Sequence, residues 1–324
     1  MFQKTIRTKP FSYEDISMTK YLLLRPEGGL NDILSQLSKC ALYCASNERI
    51  LLIDDGYIQS ESLYSRTLSH LFHPNVDWIK FASGTRLIRT IQHCTSVQPP
   101  YLAGILHSYD YDFGEPCTIK CKSLQHGFPI GVSLSPERSY DEDLIVFHSR
   151  GGGKHAQAAF NYIKPSRKVL LNFSKYRSRL PCTYAAIHYR NTDWVSNMSD
   201  CIKLIYQDVV WSANQIYLAT DDVCLAKRVQ TFGPPRLVTN YLPIDLIHSA
   251  GLDTRSGKGL HNQLCSEFSQ KLELAIFSIV ELLILCNATT FQVVPLATAN
   301  GQPRFSGYSL LCSGLRNSSQ NLLI

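Results

Sequence analysis

The sequence predicts an α/β protein with parallel sheets in two units, and three observations carry that expectation. Short apolar runs alternate along the chain with segments of helical period. Several of the runs end abruptly in glycine, arginine or aspartate, as strands of an open parallel sheet do at the carboxyl edge where ligands bind. The same strand–loop–helix logic occurs in both halves of the 324-residue chain, which is long enough for two domains of ordinary size.

In the first half, residues 21–26 read as a buried parallel strand, and residues 27–32 as a turn into a helix. Gly28 and Gly29 let a backbone approach closely. The helix start behind them, at Asn31, offers amide donors to an anion or to an acceptor's oxygen atoms. Ile33, Leu37, Cys40, Ala41 and Cys44 recur at helical spacing, and residues 49–53 give a second strand, completing β-α-β. The pattern is not the dinucleotide fingerprint GxGxxG, so Asp54 and Asp55 read as solvated strand-end acids rather than ribose ligands. Residues 70–140 carry a poor signal, with short periodic patches near 83–93. Asp110-Tyr111-Asp112 has the DxD spacing through which carboxylates hold a divalent metal, although loop acids match it by chance. Residues 143–148 give another strand, which leads through Gly151-Gly152-Gly153 to a helix over 155–162.

Lys164-Pro165 and the basic, turn-prone residues 175–181 read as the passage between two domains, 1–178 and 179–324. The strand at 184–190 ends in His188, Arg190, Thr192 and Asp193. The planar, permanently charged fork of Arg190 suits a phosphate or carboxylate, while an Arg190–Asp193 ion pair that merely ends the strand is the plain alternative. A helix near 200–211 and a strand at 215–220 follow, closed by Asp221-Asp222. These acids suit the N–H groups of guanine or the hydroxyls of a ribose, or Asp222 caps the next helix while Asp221 faces the cleft. A helix at 223–232, a strand at 236–239, a long loop through 251–262, a helix at 266–286 and a strand at 289–294 complete the alternation. The loop at 295–301 brings Thr298 to the same sheet edge.

Composition narrows the class further. With 44% hydrophobic and 18% charged residues the chain is expected to fold as a soluble globular protein. Its net charge of +6 comes without a Lys/Arg block, which argues against nucleic acid or an anionic membrane surface as partner and fits a small anionic ligand. Eleven cysteines without a paired CxxC pattern point to reduced, buried thiols and a cytosol-like compartment, with no metal site. The first twenty residues lack the apolar core of a signal peptide. The most hydrophobic segment, 272–286, is short and polar for a membrane span and reads as a buried helix. A luminal form whose anchor lies outside this chain stays open beside the cytoplasmic reading.

Three segments carry a resemblance to a known family: Gly28-Gly29-Leu30-Asn31, Ile187 through Asp193, and Ile216 through Asp222. In this order and rough spacing they resemble the fucosyltransferase superfamily, most nearly α-1,6-fucosyltransferases and nodulation fucosyltransferases, with protein O-fucosyltransferases more distant. Gly259-Leu260-His261-Asn262, with the apolar helix behind it, is similar to the corresponding C-terminal segment. The resemblance is good over 184–286 and thinner over 21–55. It implies a GT-B architecture, two Rossmann-like domains with parallel sheets facing across a cleft, an acceptor domain at 1–178 and a nucleotide-sugar domain at 179–324. It implies inverting, metal-independent transfer of fucose from GDP-fucose, a donor substrate rather than a cofactor, to a hydroxyl of a glycan or oligosaccharide.

By position, the resemblance makes Arg190 the clamp on the donor pyrophosphate with His188 and Thr192 beside it. Asp221 becomes the acid that reads guanine, with Asp222 next to it. Gly28, Gly29 and Asn31 face the donor from the first domain, and Thr298 falls near the phosphates. Two departures concern proton transfer. The α-1,6 enzymes carry a glutamate proposed as general base five residues after the motif's aspartate, where this chain has Met198, and their second arginine is Asn191 here. Methionine cannot take a proton, which leaves Asp193, Asp200 or a first-domain acid for that task. Two other readings stay open: the same fold acting on another nucleotide sugar, and a non-catalytic nucleotide-sugar or glycan-binding protein.

Overall fold

The computed structural model describes residues 19–26, 28–56, 63–64, 66–103, 137–149, 155–190, 198–205, 213, 215–232, 237–239, 267–296, 302 and 304–318. In the first half these form β1 (Tyr21–Pro26), α1 (Leu30–Ser46), β2 (Ile50–Asp54), α2 (Leu68–Leu71), β3 (Phe72–Pro74), β4 (Ile79–Ala82), α3 (Gly84–Ile91), β5 (Val97–Gln98), β6 (Leu144–Ser149), β7 (Ile163–Pro165) and α4 (Arg167–Arg177). Strands β4-β2-β1-β6-β5 make one sheet in that order, and every described pair in it is parallel. Leu22, Leu23 and Leu24 of β1 are all buried, as a central strand covered on both faces requires.

The second half supplies β8 (Ala185–Tyr189), α5 (Met198–Ile205), β9 (Ile216–Thr220), α6 (Val223–Phe232), β10 (Leu237–Thr239), α7 (Phe268–Asn287), β11 (Thr290–Val293) and α8 (Gly307–Asn317). Strands β10-β9-β8-β11 form a second parallel sheet. The α/β class and the parallel sheets expected from the sequence are therefore present. Helix α7 buries ten residues between Leu274 and Leu285, nearly all round its circumference, which requires neighbours on every side. It packs on α2 and α4 from the first half and on β8 and α8 from the second. Arg316 of α8 closes its C-terminus by donating to the carbonyls of Leu285, Cys286, Ala288 and Thr289. Helix α8 also lies against α1. Helices α1 and α8 are thereby fixed side by side.

Several expectations need correction. Asp54 and Asp55 are buried, not solvated. Asp54 Oδ2 is 3.5 Å from Nε of the fully buried Arg25, and its Oδ1 accepts from Gly56 N–H at 3.1 Å. Asp55 accepts from the N–H groups of Leu68 and Ser69 and from the Ser69 hydroxyl, so it closes the start of α2. The buried acids are retained because each carboxylate has a cation or several N–H donors beside it. The helix expected at 155–162 is a 3-10 helix, Ala156–Asn161, a form common in connectors, and it leads through Tyr162 into β7. Lys175, Tyr176 and Arg177, within the stretch 175–181, form the last turn of α4. Ser166 caps that helix through Val169 N–H, and Lys175 and Arg177 sit at its negative C-terminal end.

Cys40, Cys44, Cys201 and Cys312 are buried free thiols, and burial pushes each of them up, so they stay protonated. Among the described residues no helix is long and apolar enough to cross a membrane, and no group of histidines, cysteines or carboxylates is placed to hold a metal. Asp110-Tyr111-Asp112, Gly151-Gly152-Gly153 and Gly259-Leu260-His261-Asn262 lie outside the described residues.

Candidate functional site

The chain leaves β1 through Gly28, whose φ of +104° is open to glycine but strained for other residues. A Cβ at this position would lie 2.7 Å from Asp32 Oδ2. That close approach lets Asp32 turn back and accept the Gly29 N–H at 3.2 Å, which fixes the first turn of α1. Asp32 is partly buried, and burial raises its carboxyl above the usual range against the lowering effects of Gly29, Asn31 and the Arg190 charge.

The other wall starts at the carboxyl end of β8. His188 is buried on the strand, and half-buried Arg190 stands just past its end. Among the described residues, the charge of Arg190 is felt by Asp32, Tyr64 and His188. It opposes the elevation of Asp32 and of Tyr64, and it adds to the depression of His188. Burial, reinforced by Arg190, brings the His188 ring down to about 3, so the imidazole is neutral. Burial likewise lifts the Tyr64 hydroxyl to about 12, while that hydroxyl donates to Ser278 Oγ at 3.1 Å.

The third component is the N-terminus of α8. Ser306 is its N-cap and accepts the Ser309 N–H at 3.1 Å. Gly307 approaches α1 so closely that a Cβ there would lie 3.1 Å from both Cβ and Nδ2 of Asn31. Two helix N-termini therefore converge, that of α1 after β1 of the first sheet and that of α8 after β11 of the second. Between them opens a cleft of about 270 Å³ lined by Gly29 to Asp32, Tyr64, Arg190, Leu296 and Arg304 to Tyr308. Amide groups at helix starts and two guanidinium groups give this cleft the donor set of an anion site.

Of the residues singled out in the sequence, Gly29, Asn31 and Arg190 share this cleft, and Gly28 shapes its wall. His188 does not line it but stands behind Ser309, with Nδ1 at 2.6 Å from Ser309 Oγ. Asp221 and Asp222, past the end of β9, do not line it either. Asp222 Oδ1 accepts Leu225 N–H at 2.9 Å, which makes it the cap of α6 foreseen as one of its two readings. Both acids add to burial in lifting the Tyr189 hydroxyl to about 12. Asn191, Thr192, Asp193 and Thr298 lie outside the described residues. Tyr64, Arg304, Ser306, Gly307 and Tyr308 were not singled out. Ser306, three residues before Ser309 and ahead of the periodic Tyr308, Leu311, Cys312 and Leu315, carried a legible cap signal, whereas nothing local marks Arg304.

No family model matches this sequence, and no curated protein matches it. Solved structures do. The fucosyltransferase NodZ from Bradyrhizobium superposes with a TM-score of 0.54 at 12% identity, over 92% of this chain and 93% of that one. NodZ α-1,6-fucosyltransferase soaked with GDP-fucose gives 0.53 at 12% identity, with 92% of each chain covered. POFUT1 in complex with GDP gives 0.51 at 12% identity, over 93% of this chain and 96% of that one. The chain has the GT-B fold of these fucosyltransferases. At this identity the likeness speaks for the fold, and the two parallel sheets with a cleft past their strand ends are its expression here.

Proposed function

We propose that this GT-B protein is a glycosyltransferase that moves fucose from GDP-fucose to a hydroxyl of a glycan or oligosaccharide, with inversion and without a metal. One observation carries the reading: Arg190, Arg304 and the N-termini of α1 and α8 converge on one cleft, in the fold of proteins crystallised with GDP or GDP-fucose. In the proposed reaction the acceptor oxygen bonds to the anomeric carbon as the bond from that carbon to the β-phosphate oxygen breaks. The electron pair leaves with GDP, and the acceptor proton passes to a base. Negative charge grows on the pyrophosphate, where Arg190 and the helix-start amides stabilise it without a metal ion. Asp32 is the one carboxylate lining the cleft among the described residues, and we assign it as the base that Met198 cannot be. The division into an acceptor unit, 1–178, and a donor unit, 179–324, belongs to the same proposal, with Asp221 reading guanine.

A specific observation favours a second reading, a protein that binds the donor without transfer. Met198 begins α5 and packs on the apolar cluster with Cys201 and Ile205, so its position supports no proton chemistry. A screen of GDP-fucose, GDP-mannose and UDP-sugars, reading nucleotide release with an oligosaccharide acceptor in the presence and absence of EDTA, separates these readings. Chelator-insensitive release from GDP-fucose is expected. GDP binding without release supports the binding protein, and release from a UDP-sugar alone moves the activity to another donor.

A further inference from the structure

We infer that His188 is a positioning residue which, through Ser309, sets the direction of the Ser306 hydroxyl so that the first turn of α8 presents an O–H donor to an anion in the cleft. The inference rests on the donor site proposed above and assigns part of its chemistry to a buried side chain that does not touch the donor.

Three polar groups form a continuous chain from the strand to the cleft. His188 Nδ1 is 2.6 Å from Ser309 Oγ, Ser309 Oγ is 2.9 Å from Ser306 Oγ, and Ser306 lines the cleft. All three residues are more than nine-tenths buried, so water does not compete for these bonds. The ring is held in place from its side by Tyr308, at 5.2 Å between centroids, whose own hydroxyl donates to Ser278 O at 2.6 Å.

Two proton orders satisfy the chain, and they differ in what the cleft meets. With the proton on Nδ1, His188 donates to Ser309 Oγ and the Ser309 hydroxyl donates to Ser306 Oγ. Ser306 Oγ already accepts the Ser309 N–H, so both its lone pairs are filled and its proton is left to point into the cleft. In the reverse order Ser306 donates inward, Ser309 donates to Nδ1, and the cleft meets a serine oxygen without its proton. An anion held by Arg190 selects the first order. Because the imidazole is neutral, it carries one ring proton over the whole working range, and the question reduces to which nitrogen bears it.

The test is calorimetric titration of GDP and of inorganic pyrophosphate into the wild-type protein and into His188→Ala, His188→Asn, Ser306→Ala and the double alanine variant, with thermal unfolding of each. Both single alanine variants are expected to weaken GDP and pyrophosphate roughly tenfold, the loss of one hydrogen bond to a charged group. The double variant should be no weaker than either single one, since both cut the same chain. His188→Asn, whose amide N–H stands in for Nδ1–H, should recover most of the affinity, which a purely space-filling role does not predict. Ser309→Ala cuts the same chain and carries the test if His188→Ala does not fold. Nitrogen-15 spectra of the GDP-bound protein, with His188 assigned by comparison with His188→Asn, should show the proton on Nδ1. A folded His188→Ala with unchanged affinity, multiplied losses in the double variant, or a proton on Nε2 overturns the inference while leaving the donor site standing. A wild-type protein that binds neither GDP nor pyrophosphate overturns the donor site, and this inference with it.

Discussion

Strands β8 and β9 are neighbours in one parallel sheet, with His188 beside Ala219 and Tyr189 beside Thr220, yet their carboxyl ends serve different purposes. Past β8 stands Arg190, on the cleft. Past β9 stand two acids, of which Asp222 is engaged by the helix that follows. The difference lies in the sign of the charge. Helix α6 starts at Val223, directly after Asp222, and its unsatisfied N–H groups claim the carboxylate. Arg190 is a cation that helix-start N–H groups do not bind, and it lines the cleft with Asp32, Tyr64 and the start of α8.

The contrast is broken most severely at Arg190. Arg190→Ala is expected to lower turnover of GDP-fucose by about 10²–10³-fold, the usual cost of one transition-state donor. Arg190→Lys should recover only part of this, because an ammonium group lacks the planar fork. Steady-state kinetics on both variants check it, and undiminished transfer by Arg190→Ala would place the leaving group elsewhere.

Next in size is Asp32, opposite Arg190. Asp32→Asn keeps an acceptor for the Gly29 N–H and removes basicity, so kcat should fall on the order of 10²-fold while GDP affinity holds. The sign with pH follows from the raised carboxyl. The base is active when ionised, so wild-type activity falls as pH drops through its elevated pKa, at a higher pH than an ordinary aspartate would give. That acid limb should be missing from the pH profile of Asp32→Asn, and its persistence would assign the limb to another group.

Much of this arrangement was legible in the sequence, for physical reasons. Continuous apolar runs such as residues 22–24 mark strands buried on both faces, and the strand-end groups Gly28, Gly29 and Arg190 announce a carboxyl edge. The buried fates of Asp54 and Asp55 were not legible, because they depend on Arg25 in the neighbouring strand and on a helix start thirteen residues further on. Arg304 and Tyr64 reach the cleft only through tertiary packing, which leaves no local pattern. The dual readings of Asp222 were both visible. Only the hydrogen bond to Leu225 N–H distinguishes them.

A smaller effect separates the two acids after β9. If Asp221 reads the guanine base, Asp221→Asn weakens GDP roughly tenfold and leaves inorganic pyrophosphate unaffected, since the altered hydrogen bonds belong to the base. Equal losses for both ligands, measured by calorimetry, would tie Asp221 to the phosphates instead.

Asp222 should give the smallest change and the clearest view of the difference between the strands. Its Oδ1 holds Leu225 N–H at 2.9 Å, and its own N–H donates to Thr220 Oγ1 at 3.0 Å, so the residue is anchored on both sides. Asp222→Ala therefore removes a helix cap and is expected to cost about 1 kcal/mol in denaturant unfolding, with GDP affinity within about twofold of wild type. Asparagine caps a helix start about as well as aspartate, so Asp222→Asn should restore the stability. The two substitutions thus separate a cap from a donor contact. A cap is rescued by asparagine, whereas a carboxylate that accepts from a ribose or a base loses its charge in both variants, and GDP affinity then falls in both.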